Sequence, residues 1–109
     1  MLENIFGNET AEKVLLHIYH YGEIHASAIS LDYNISVTPV LNQLVRFENA
    51  GVLVSKQIGR SRVFMFNKKS PFTKPTIALL KIVYENISLD EKQQFFKRRR
   101  PRKKGKPVL

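Results

Sequence analysis

The apolar period of this chain changes abruptly at Gly51, and no other feature limits its fold as strongly. Upstream, Val40, Leu44 and Phe47 recur at i, i+4 and i+7, the stripe of one helical face. Downstream, VLVSKQIGRSRVFMFN runs at a period near two, as a strand, a turn over Gly59 to Ser61 and a second strand. In this hairpin Val52, Val54 and Ile58 are expected to pair with Val63, Met65 and Phe66, with Arg60 and Arg62 at the tip. Ser36 is the expected N-cap of the helix before it. Pro39 then falls in the first turn, where a missing N–H costs nothing because those donors have no intrahelical acceptor.

Two further helices are expected ahead of this unit. AEKVLLHIYHY, capped by Asn8 or Thr10 and ended by Gly22, places Val14, Leu15, Ile18 and Tyr19 on one face. A short helix follows over about Ala26 to Leu31, and Asp32-Tyr33-Asn34 makes a tight connection in which Asn34 tolerates a left-handed conformation. After the hairpin, SPFTKP begins a helix running to about Ile87, with Ile77, Leu80, Val83, Tyr84 and Ile87 on its apolar face. Leu79 and Ile82 widen that face beyond what a monomer of this size needs, so a homodimer through Phe72 to Leu89 is expected. Ser88 and Glu91 have capping-box spacing for a short last helix, and a basic, disordered tail is expected from Lys97. The expected fold is therefore mainly α with a small β-hairpin wing. Residues 5–89 are expected to form one winged helix-turn-helix domain, and residues 90–109 a short helix and basic tail.

Charge locates the partner. The chain of 109 residues has a net charge of +9, but residues 97–109, KRRRPRKKGKPVL, hold eight Lys and Arg and no acid. Residues 1–45 net −4 and residues 46–74 net +6, so a polyanion would meet the middle of the chain and its tail. Cysteine is absent, which removes thiolate chemistry and disulfides, and no apolar run approaches the roughly 20 residues of a membrane span. The opening MLENIFGNETAEK lacks a charged-then-apolar leader pattern, and a cytoplasmic protein with no membrane association is expected.

In NETAEKVLLHIYHYG, ASAISLDYNIS, VTPVLNQLVRFENAGVLVSK and GRSRVFMFN, taken in that order, the chain resembles winged helix-turn-helix transcriptional regulators of the ArsR and MarR type. It is similar also to winged-helix domains that precede nucleotidyltransferase-like domains, which share a GRxxxxxxN wing; the nucleotidyltransferase half has no counterpart here. The resemblance covers roughly residues 5–89 and implies sequence-specific binding of double-stranded DNA. A helix fits the major groove with its N-terminal residues at the base edges. Ser36, Val37, Thr38, Leu41 and Asn42 are the expected contacts there, with Asn42 suited to an adenine edge and Val37 or Leu41 to thymine methyls. Arg46, Lys56, Arg60, Ser61 and Arg62 suit phosphate or the adjacent minor groove. Arg98, Arg99, Arg100, Arg102, Lys103 and Lys104 would follow the backbone and add affinity without sequence choice.

Other readings draw on the same residues. The tail alone can drive non-specific nucleic-acid binding, to DNA or RNA. The apolar series Val37, Leu41 and Val45 can instead be a partner contact of a protein-interaction or antitoxin-like module. His17, His20 and His25 are expected to be ordinary helix-surface histidines rather than a metal site; no cofactor is expected, and the sequence identifies no effector. No Gly-rich phosphate loop, zinc-hydrolase spacing or nucleophile elbow is present, so no enzymatic activity is expected.

Overall fold

The computed structural model describes residues 1–98; Arg99, Arg100, Arg102, Lys103 and Lys104 of the expected contacts lie outside the described residues. Its elements run α1 (Glu3–Phe6), α2 (Glu9–Tyr21), β1 (Glu23–His25), α3 (Ala26–Tyr33), α4 (Val37–Asn49), β2 (Leu53–Ile58), β3 (Ser61–Phe66), α5 (Thr73–Glu85) and α6 (Leu89–Phe95). Helices α3 and α4 are the helix-turn-helix, and β2–β3 is the wing. The architecture is a winged helix, mainly α with a small antiparallel sheet.

The local signals act where the physics is local. Asn8 caps α2 by accepting the Ala11 N–H at 2.8 Å, and Glu9 and Glu12 stand in its first turn, where the helix dipole favours acids. Asn34 ends α3 at φ 54°, so that the Asn34 and Ile35 amides donate back to Leu31 and Ser30 carbonyls. Gly51, at φ 83°, does the same for α4 through Gly51 N–H to Glu48 O and Val52 N–H to Phe47 O. Pro39 sits in the first turn of α4, but Ser36, although extended at the N-cap position, makes no side-chain capping bond. Ser88 does cap α6, accepting the Glu91 N–H at 3.2 Å.

The sheet departs from expectation twice. It has three strands, in the order β1-β3-β2, because Glu23, Ile24 and His25 pair with Met65, Phe64 and Val63. Val54 does pair with Met65, and Val52 and Phe66 pack on the core, but the deepest hairpin side chains are two outside the expected set, Leu53 (1% exposed) and Phe64 (0%), while Val54 and Ile58 are exposed. Successive strand residues face opposite sides, so choosing the wrong starting residue inverts every side chain. Phe64 prevails because it lies on the central strand, opposite both Ile24 and Ser55, where neighbours cover it on each side. The core it joins contains Val14, Leu15 and Ile18 of α2, Ile29 of α3, Val40 and Leu44 of α4, and Leu80 of α5. Each such side chain, fully buried, contributes about 1.5–3 kcal/mol. Among the described residues, no helix is long and apolar enough to cross a membrane.

Candidate nucleic-acid interface

With Val40, Leu44 and Phe47 committed to the core, 3.6 residues per turn put Thr38, Asn42 and Asn49 on the opposite side of α4, and all three are exposed. Ser36, at the head of the helix, is exposed as well. Val37 and Leu41 flank this polar line at 43% and 39% exposure, whereas Val45 is half-buried. The accessible strip is therefore short and mixed: Thr38 and Asn42 in its N-terminal half are able to bond base edges, with two apolar side chains beside them able to pack on methyl groups.

The wing projects beside it. Ile58 pairs with Ser61 across a two-residue loop, and Gly59, at φ 59°, takes the first loop position as a type II′ turn requires. Arg60 is thereby placed at the tip, exposed, with Ser61 beside it. Among the described residues no carboxylate pairs with Arg60, nor with Lys68, Lys69 or Lys74. Lys68 and Lys69 were not singled out from the sequence. They stand at the base of the hairpin, where Asn67 donates to the Gly51 carbonyl at 2.9 Å.

Several expected contacts are engaged within the protein. Lys56 pairs with Glu23 of β1 at 3.5 Å. Arg62 shares the inward face of β3 with Phe64; its guanidinium lies 4.9 Å from that ring, donates to Ser55 Oγ at 3.0 Å and pairs with Glu48 of α4. It forms a strut between wing and helix. Arg46 donates to the Phe6 carbonyl at 2.5 Å and to Gln43 Oε1 at 2.9 Å, capping the C-terminal end of α1.

Arg98 is held most firmly. Its Nε lies 2.9 and 3.0 Å from the two oxygens of Asp32, its Nη2 donates to the Ala28 carbonyl at 3.3 Å, and its amide donates to the Tyr21 hydroxyl at 3.0 Å. At Arg98 the chain thus packs on α3. Asp32 also meets His17 Nε2 at 3.0 Å, and His17 Nδ1 lies 3.1 Å from the Tyr33 hydroxyl. A neutral imidazole with its proton on Nε2 satisfies both contacts, donating to Asp32 and accepting from Tyr33. Burial holds the His17 pKa below its usual value, against the opposing pull of Asp32. Burial likewise pushes the Tyr33 hydroxyl up, which keeps it a donor.

The expectation of a surface histidine at position 17 is therefore corrected: its side chain is 0% exposed. The signal was present, since His17 falls on the same helical stripe as Val14, Ile18 and Tyr21. His20 instead meets the Tyr84 hydroxyl at 2.7 Å, and His25 lies on β1. Among the described residues, no three His, Cys, Asp or Glu side chains form a group that could hold a metal.

No protein-family model matches the chain, and no curated protein does. Among solved structures it is similar to a mutant of Lactococcus lactis ZitR in apo form, with 14% sequence identity and a TM-score of 0.49 over 82% of this chain and 76% of that one.

Proposed function

We propose that this protein binds double-stranded DNA with sequence preference, as a transcriptional regulator of the ArsR/MarR type that its sequence resembles, acting in the cytoplasm. The observation that carries the reading is the two-faced α4. Three residues anchor it in the core while Thr38 and Asn42 stand free on its outer side, beside a hairpin that presents Arg60. A helix so mounted can lower its N-terminal half into a major groove while the wing tip meets phosphate or the neighbouring minor groove. Asn42 supplies the base-specific bond, and Arg60 supplies sequence-independent affinity.

The same reading includes a homodimer. Leu79 and Ile82 on α5, Phe72 at its N-cap and Leu89 at the start of α6 are 37%, 60%, 64% and 71% exposed. Leu79 and Ile82, three residues apart on α5, share one side of that helix, and an exposed apolar side suits an isologous contact. Two copies joined there would address half-sites about one DNA turn apart. Sedimentation showing only monomer at tens of micromolar removes the dimer from the proposal.

The deciding experiment is selection from a random duplex pool with the full chain and with a chain ending at Arg98. Enrichment of one sequence by both, lost at a single base position in Asn42→Ala, is the expected result. Binding by the full chain alone, equal on all duplexes and steeply salt-dependent, would favour the non-specific reading. No duplex binding by either chain would leave the exposed pair Val37 and Leu41 as a protein contact.

A further inference from the structure

Arg46 and Glu48, two residues apart near the C-terminal end of α4, stand about 200° apart round the helix and so leave it on opposite flanks. On one flank Glu48 bonds the wing through Ser55 and Arg62. On the other, Arg46 donates to the Phe6 carbonyl of α1 at 2.5 Å and to Gln43 Oε1 of its own helix at 2.9 Å. Asn42, one turn before Arg46, lies between the two flanks on the exposed side of α4.

The short helix α1 has only four residues, a single turn that does not persist alone in water. Its place is fixed from outside. Phe6 is buried, and the Leu2 amide donates to the buried Glu12 carboxylate of α2 at 3.1 Å. The last carbonyls of a helix lack intrahelical donors, so the Phe6 oxygen is open to the Arg46 guanidinium, whose charge strengthens the bond. Gly7 makes the approach possible. At φ 111° it takes a conformation that residues with a side chain rarely adopt, and a Cβ there would stand 3.0 Å from Arg46 Nη2.

We propose that Arg46 is a positioning residue: braced on α1, it fixes the roll of α4 and so the base edge that Asn42 reaches. The inference rests on the DNA-binding reading above, and it replaces the phosphate contact expected of Arg46 from the sequence. Roll matters on the scale of one hydrogen bond. A side-chain tip about 5–6 Å from the helix axis moves by about 1 Å for each 10° of roll. The N–H···O range spans only about 0.5 Å. Val40, Leu44 and Phe47 hold α4 down, but apolar burial is non-directional and resists a small roll weakly. Directional bonds on both flanks resist it in either sense.

The test compares the full chain, unsubstituted and as Gly7→Ala and Arg46→Gln, with thermal unfolding to check folding. Fluorescence anisotropy gives two readouts on a selected duplex. One is the salt slope of log K. The other is the ratio of affinities for that duplex and for one changed at the base position where Asn42→Ala loses its preference. For a good paired base contact this ratio is roughly 5- to 150-fold. Loss of positioning lowers the ratio by about threefold or more in both variants and leaves the slope within about 0.3 of the unsubstituted value. Gly7→Ala keeps every cation, so a lowered ratio there has no electrostatic origin.

A phosphate contact by Arg46 instead lowers the slope by about 0.9 in Arg46→Gln, and that result overturns the proposal. An unchanged ratio in either variant overturns it as well, whatever the Tm, because the bond then serves stability alone. If Gly7→Ala does not fold, Arg46→Gln decides by itself, since the two roles move different readouts. No enrichment of any duplex by the unsubstituted protein defeats the DNA-binding reading, and this role with it, a failure separate from the other two.

Discussion

Glu48→Gln separates the two roles open to Arg62, wing contact and internal strut. In the free protein the Arg62 guanidinium is held by Glu48 and Ser55, with the side chains of Arg62 and Glu48 45% and 23% exposed. A pair so open to water contributes only about 0.2–1 kcal/mol, so its loss should lower Tm by about 1–8 °C in a domain of this size. Binding should move the other way. The substitution removes one anion from α4 and frees one cation on the wing, and a single added phosphate contact steepens the salt dependence of log K by about 0.9. Between 50 and 200 mM salt that amounts to an extra factor of about 3.5 in lost affinity, which a salt titration by fluorescence anisotropy resolves. The expected variant is thus slightly less stable, tighter-binding at low salt and more salt-sensitive on every duplex alike. An unchanged slope with weaker binding would refute this: Arg62 would then serve only to hold the wing at its angle, leaving Arg60 as the wing's cation.

Three further expectations concern stability. His17 is buried with its pKa lowered, so the unfolded chain takes up its proton first as pH falls; that contribution is fully present above about 6.5 and is lost below it. Thermal unfolding between pH 8 and pH 5 should show Tm falling on the acid side, with a shallower fall in His17→Gln. Phe64→Ala should cost about 3–5 kcal/mol, because Phe64 is fully buried on the central strand; urea unfolding measures it, and a cost under about 1 kcal/mol would mean that the hairpin does not pack as described. At Asn34, φ 54° makes the left-handed conformation the deciding factor: Asn34→Gly should stay within about 0.5 kcal/mol of the unsubstituted protein and Asn34→Ala should cost about 1 kcal/mol.

Much of the architecture was legible because it rests on short-range physics. The stripe of Val40, Leu44 and Phe47, the stop at Gly51, the left-handed Asn34 and the turn at Gly59 each depend on a few neighbouring residues, and each stands where the pattern put it. The hairpin face was not legible. Apolar residues occupy both sides of it, Leu53 and Phe64 against Val54 and Met65, so a period of two names no winner. Nor was β1 legible: three residues, EIH, carry no pattern, and become a strand only because β3 offers them a free edge.

The candidate site divides along the same line. From the sequence alone follow the helix that can enter a groove, the hairpin beside it, and the concentration of positive charge in the second half of the chain. Which cations are free is a tertiary matter, because an arginine's availability depends on what faces it across the fold. Arg60 extends past the last strand pair, where no carboxylate among the described residues pairs with it, whereas Arg62, two residues on, turns inward to Glu48. Arg98, in a run that reads as uniform charge, is drawn to Asp32, 66 residues earlier. Local preference determines where helices and turns begin and end. Only packing brings distant acids and bases together, and so decides which charges remain for a partner.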